Sequence, residues 1–158
     1  QPNAASPPVA NADLRTWAGG LPEGWARGGA GVIEQGTSPV DNRGAVVVDA
    51  TGGPTGVEQP LVLLQWRSAY RVSCWAKASA GGATIRLVNA GSSQDFAVAE
   101  HSGSGQWQEL SGIGRVNGGG PLFPARVEIR VASGVASFTA VRVEALPASS
   151  ARRSQGRA

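Results

Sequence analysis

A chain that performs covalent chemistry needs a nucleophile, an acid–base group or a metal ligand set, and this sequence holds few residues able to fill those roles. Cys74 is its only cysteine and His101 its only histidine. Cys74 stands between Val72 and Ala76 at alternate positions of a strand-like segment, where a thiol behaves as a small buried hydrophobe. His101 follows Glu100 in the loop-like Glu100-His101-Ser102-Gly103-Ser104-Gly105. With no second histidine and no cysteine pair it does not begin a zinc site. No serine sits in a nucleophile-elbow motif. Gly112-Ile113-Gly114 lacks the later glycine of a dinucleotide loop, and no Gly-Lys-Ser/Thr follows any glycine cluster. Among the carboxylates, Glu128 and Glu144 alternate with arginines and read as solvated or ion-paired surface, not as a glycosidase pair. No catalytic signature is left, so the chain is not expected to be an enzyme.

The remaining chemistry is recognition. Over Ala69–Ala78 the residues Tyr70, Val72, Cys74 and Ala76 point one way, while Arg71, Ser73, Trp75 and Lys77 point the other. Trp75 is therefore an outward aromatic beside hydrogen-bonding side chains, and the leading candidate for ligand contact, with Arg71 beside it. Arg86, Glu128 and Arg130 share the outward parity on two further strands and join the candidate set. Trp66, in Gln65-Trp66-Arg67-Ser68, is expected to be exposed at a hairpin tip, where an aromatic can anchor a ligand or another subunit. Trp107 is expected to pack at a sheet edge.

The elements that must position these residues are strands. The two-residue period recurs in Thr84–Asn89, in Arg126–Val131 and near Val141 and Val143. Further candidates are Gly31–Gln35, Ala45–Ala50, Val57–Leu64, Phe96–Glu100, Gln106–Ser111 and Ala136–Val143. Turn signals separate them at Asp41-Asn42-Arg43-Gly44, Thr51-Gly52-Gly53-Pro54, Ala80-Gly81-Gly82 and Asn117-Gly118-Gly119-Gly120. No segment carries a helical apolar stripe. About ten short strands at a spacing of roughly 8–12 residues predict an all-β, two-sheet antiparallel β-sandwich of the jelly-roll kind. The 23 glycines, 10 prolines and absence of methionine among 158 residues suit short strands joined by turns.

That length accommodates one cored domain. The chain divides into an extended proline-rich N-terminal arm (1–10), a β-sandwich domain (11–146) and a basic C-terminal tail (147–158). The formal charge of +3 owes much to Arg152, Arg153 and Arg157 in that tail. The core is close to neutral, so nucleic acid is not an expected partner. One cysteine permits no internal disulfide, and no apolar run reaches the roughly 18–20 residues of a membrane span. The chain opens on Gln1, which reads as a processed product, and the expected location is extracellular or on a particle surface.

Several segments together resemble the carbohydrate-binding modules of families 4 and 9, a jelly-roll group within the galactose-binding-like fold. They are Asn11-Ala12-Asp13-Leu14-Arg15-Thr16-Trp17, Leu21-Pro22-Glu23-Gly24-Trp25, Val57-Glu58-Gln59, Tyr70–Ala78, Trp107-Gln108-Glu109-Leu110-Ser111 and Ala136–Val143. The resemblance implies an asparagine-led first strand, packing roles for Trp17 and Trp25, and a concave cleft on the Trp75 face. A sugar's apolar C–H faces and hydroxyl rim suit such a surface. The family's Asp-Asp-Val on the last strand is replaced here by Thr139-Ala140-Val141, which removes carboxylates that help hold a structural calcium. Asp13 and Asp49 remain as candidate oxygen ligands, a poor start for an ion that takes six to eight oxygens. No other cofactor is expected. Two readings follow: a non-catalytic glycan-binding module whose partner is a polysaccharide, or a structural or decoration protein of a virion, filament or cell surface that docks its terminal arms on neighbouring subunits.

Overall fold

The structure, a computed structural model, describes residues 6–29, 31–38, 44–115 and 121–147. The turn signals at 41–43 and 117–120, residues 1–5 of the expected arm and 148–158 of the expected tail lie outside the described residues. All regular elements among the described residues are strands: β1 (Trp17–Ala18), β2 (Leu21–Pro22), β3 (Ala26–Gly29), β4 (Val32–Thr37), β5 (Gly44–Asp49), β6 (Thr55–Gln65), β7 (Ala69–Ala78), β8 (Ala83–Asn89), β9 (Gln94–Glu100), β10 (Trp107–Arg115), β11 (Leu122–Val131) and β12 (Val135–Ala145).

Ten of them form two five-stranded antiparallel sheets, ordered β10-β7-β12-β5-β4 in the first and β3-β6-β11-β8-β9 in the second. Within these sheets only β4–β5 and β8–β9 pair as consecutive strands; every other consecutive pair from β3 onward lies in opposite sheets. That winding is the jelly roll the period-two segments predict. The inward residues Tyr70, Val72, Cys74 and Phe138 of the first sheet meet Val57, Ile85, Val127 and Ile129 of the second, all of them buried. Each such side chain contributes about 1.5–3 kcal/mol on full burial.

The two lateral edges close differently. Along one, β10 presses on β9: a β-carbon at Gly112 would sit 2.5 Å from the Val98 carbonyl oxygen, and one at Gly114 only 1.5 Å from that of Phe96. Glycine alone permits this approach. Along the other, the β1–β2 hairpin turns on Gly19 and Gly20, at φ +62° and +81°, as a two-residue loop with both residues left-handed requires. Its β2 strand contacts both β3 and β4.

The N-terminal segment differs from expectation. Beyond Phe138 β12 parts from β5, its register against β7 shifts between Thr139 and Arg142, and Ala140 takes φ 55°. Residues 6–14 run along the side of β12 that β5 leaves. The Val141 amide donates to the Ala12 carbonyl at 3.2 Å and the Ala145 amide to Ser6 Oγ at 3.0 Å. The Gln59 carboxamide brackets Ala10, accepting from its amide (2.8 Å) and donating to its carbonyl (3.0 Å). Residues 6–10 thus belong to the sandwich, because proline-rich chain without a hydrophobic period can still bury Pro7 and half-bury Val9. The asparagine-led segment is a turn, not a strand. Asn11 stands at φ 53°, and its side chain donates to the Thr16 carbonyl (2.8 Å) and the Glu23 carbonyl (3.0 Å).

Candidate functional site

The five tryptophans separate by what holds their indole N–H groups. Trp25 is 5% exposed in the core, with its Nε1 buried and unpartnered. Trp17 donates to the Leu14 carbonyl at 2.8 Å. Trp66, expected to be exposed, is half-buried instead: its ring lies 4.8 Å from that of Phe123 and its Nε1 donates to the Leu122 carbonyl at 3.0 Å. The β6–β7 connection folds the indole down as a lid over the end of the core, so a turn position did not mean exposure. Trp75 and Trp107 are half-buried, and their indole nitrogens are neither sealed from solvent nor bonded to any other residue.

Both of these rings stand on the outer face of the first sheet, on adjacent strands. Trp107 of β10 lies opposite Lys77 of β7, and Trp75 lies opposite Glu109 on one side and Thr139 of β12 on the other. They are diagonal neighbours, within reach of one ligand. Next along the strands, Ser73 stands between Ser111 and Arg142, and Arg71 between Ile113 and Glu144. Glu144 takes Arg142 at 3.4 Å and Arg71 at 3.9 Å. Lys77 and Glu109 form no ion pair or hydrogen bond through their side chains. A groove of about 290 Å³ runs beside this face, between Ser6, Pro7, Val9 and Ala12 of the N-terminal segment and Val141–Glu144 of β12.

The outer face of the second sheet is built on another plan. Glu128, 5% exposed, stands between Glu58 of β6 and Arg86 of β8. One carboxylate oxygen accepts from Arg126 Nε, the other from Arg130 Nε at 3.2 Å. Glu58 reaches Arg130 at 3.5 Å and Arg126 at 3.7 Å, and Arg86 reaches Asp95 at 3.3 Å. Burial pushes the Glu128 carboxyl up, but the hydrogen bonds and charges of Arg126 and Arg130 outweigh it and hold the group below its ordinary value. Every carboxylate in this lattice is occupied.

The six candidate residues are therefore not one cluster. Trp75 and Arg71 share the first face, Arg86, Glu128 and Arg130 the second, and Trp66 caps the core between them. Alternation along a strand gives parity but not which sheet the strand joins. Trp107, expected at a sheet edge, lies on edge strand β10 and also faces outward beside Trp75; the alternation Trp107, Glu109, Ser111 carried that signal.

The groups that could do covalent chemistry are engaged elsewhere. Burial, with the Glu109 charge as a lesser cause, pushes the Cys74 thiol far above its ordinary value. His101 is buried; Nδ1 accepts from the Gly103 amide at 2.9 Å, which leaves Nε2 to donate to the Gln106 carbonyl at 2.8 Å. Asp49 accepts from both the amide (3.0 Å) and the hydroxyl (2.6 Å) of Thr51. Among the described residues no three histidine, cysteine or carboxylate groups gather as a metal site.

No protein-family model and no curated protein sequence matches the chain. Solved structures do match. The apo form of a cyclase from Fischerella sp. superposes with a TM-score of 0.70 at 15% identity, over 92% of this chain and 98% of that one. The CBM22-1 xylan-binding domain from Paenibacillus barcinonensis Xyn10C gives 0.60 at 13%, over 94% and 99%. A CBM4 structure gives 0.60 at 13%, over 88% and all of that chain. At such identities the likeness is one of fold, and the fold is the jelly roll of the CBM4 and CBM22 carbohydrate-binding modules.

Proposed function

We propose that this chain is a non-catalytic glycan-binding module, acting outside the cell or on a surface, whose polysaccharide lies on the outer face of the first sheet against Trp75 and Trp107. The observation that carries the reading is the pair of indole N–H groups left open on that face, where Trp17 and Trp66 have theirs tied to backbone carbonyls. A flat ring packs against the apolar face of a pyranose while its N–H, with Arg71, Ser73, Lys77 and Glu109 nearby, meets the hydroxyl rim. Fold likeness to a xylan-binding domain and to CBM4 supports the ligand class. The same fold also serves a cyclase, so function has to be argued from the site. Here the only thiol is buried and both imidazole nitrogens are engaged, which supports binding without turnover.

Titration with soluble xylan, glucan, mannan and galactan oligosaccharides, followed by tryptophan fluorescence, tests the proposal. Saturable change with one class, without release of shortened or rearranged sugar, is the expected result. Silence across all four classes would remove it.

A further inference from the structure

His101 is a buried titratable side chain on the connection that leads into Trp107. It is 1% exposed, and residues 102–106 wrap around its ring. The Gly103 amide donates to Nδ1 at 2.9 Å, and Nε2 donates to the Gln106 carbonyl at 2.8 Å. Trp107 comes next, as the first residue of β10 and opposite Lys77 of β7. The Gln106 carbonyl lies in the same planar peptide unit as the Trp107 amide. The Nε2 bond therefore orients the group from which the Trp107 side chain is mounted.

The rest of the loop is fixed on its other sides. The His101 amide donates to the Ala83 carbonyl at 2.9 Å and the Gly105 amide to the Ala78 carbonyl at 2.8 Å. The Gln108 carboxamide accepts from the Ser102 amide (3.3 Å) and donates to Ser102 Oγ (2.9 Å). Gly103 stands at φ +84°, and a β-carbon there would sit 3.0 Å from the backbone of Ala80 and Gly81. The loop thus backs directly on the β7–β8 turn and has little room to give at that point.

This arrangement takes the neutral imidazole with its proton on Nε2. A second proton would set an Nδ1–H against the Gly103 N–H, two donors with no acceptor between them. It would also bury a positive charge to which no carboxylate is bonded. The charged groups around the loop are Glu100 on β9, Lys77 on β7 and Glu109 on β10, all exposed. Glu100 accepts instead from the Gly82 amide at 3.2 Å. Residues 79–82, 132–134 and the first two residues of β8 carry no charge. A protonated ring has to shift away from Gly103, and its Nε2 bond carries the Gln106–Trp107 peptide with it.

We infer that His101 is a positioning residue for Trp107: the neutral imidazole holds the indole beside Trp75, and a second proton on the ring displaces it and weakens the ligand. This rests on the glycan-binding reading above and adds to it a proton-sensitive control of one of its two aromatic contacts.

The test is calorimetric titration of the full chain with hexasaccharides of the xylan, glucan, mannan and galactan types, from about pH 8 to about pH 5, the interval in which imidazoles take up a proton. The wild type should lose roughly tenfold in affinity towards acid, the weight of one aromatic anchor. Over the same interval the Trp107 indole N–H resonance of the free protein should move while that of Trp25 in the core stays still. His101→Gln, which keeps a donor for the Gln106 carbonyl, and His101→Asn, which keeps an acceptor for the Gly103 amide, do not titrate. Either variant should hold its affinity within about twofold across the interval. If neither folds, the wild-type affinities and indole signals decide. An equal acid loss in wild type and variants would place the titrating group elsewhere and overturn the proposal. So would a wild-type affinity that ignores pH, or a Trp25 signal that moves together with Trp107 as the whole fold opens. Each of these leaves the Trp75 reading standing. No binding of any of the four hexasaccharides near pH 8 would remove that reading, and the role of His101 with it.

Discussion

The two outer faces of this sandwich are made from similar strands but hold their polar groups in opposite ways. On the second sheet, Arg126 and Arg130 close on Glu128 and Glu58, and Arg86 closes on Asp95. On the first sheet, two arginines share the single carboxylate of Glu144, while Lys77, Glu109 and the indoles of Trp75 and Trp107 bond to nothing else. The difference teaches that charge density is a poor guide to a binding face. A lattice whose carboxylates are all engaged must be broken before it can bind, and breaking it costs the desolvation already met within it. Open donors and acceptors beside a flat apolar surface carry no such penalty. On the proposed reading the closed face contributes to stability and the open face takes the ligand.

Substitutions can break that division, and the largest effect is expected from the open face. Trp75→Ala combined with Trp107→Ala should weaken oligosaccharide binding by roughly a hundredfold, the scale of losing two aromatic anchors, with little change in the thermal midpoint. Next, Glu128→Ala should lower unfolding free energy by about 2 kcal/mol in denaturant titration. That is less than for a fully buried pair, because Arg126 and Arg130 reach solvent. Its glycan affinity should be unchanged.

A smaller effect follows from acid. The Glu128 carboxyl is held below its ordinary value in the fold, so its contribution is fully present above the unfolded value, 4.5, and is lost as pH falls through the lower folded value. Denaturant midpoints from neutral pH to about pH 3 should therefore fall less steeply for Glu128→Gln than for the wild type. Smallest of all, Arg86→Ala should alter glycan affinity by less than about twofold, since an exposed pair is worth about 1 kcal/mol or less and lies on the face opposite the ligand.

The sandwich was legible because burial imposes period two. Ala69–Ala78 was bounded to the residue, since Tyr70, Val72, Cys74 and Ala76 alternate cleanly with polar neighbours. β1, β2 and β3 were not, because two residues or an Ala-Arg-Gly-Gly run hold no period to read. Trp75 was placed outward by parity alone. The alternation Trp107, Glu109, Ser111 gave its partner Trp107 an outward parity, but its place beside Trp75 needed the β7–β10 register, which brings together residues 30 to 46 positions apart. The same limit led Arg86, Glu128 and Arg130 to be grouped with Trp75. Strand parity repeats on both sheets, and only the strand order separates them. Trp66 misled for a different reason: its turn position suggested exposure, whereas Phe123, far away in sequence, supplies the surface that covers it.

The most direct test follows the five indole N–H resonances of the ¹⁵N-labelled chain during titration with a binding oligosaccharide. The Trp75 and Trp107 signals should move in fast or intermediate exchange with a shared dissociation constant, while Trp25 in the core and Trp66 over Phe123 stay still. Shifts that spare Trp75 and Trp107 and instead follow the side-chain signals of Arg86 and Arg130 would contradict the account.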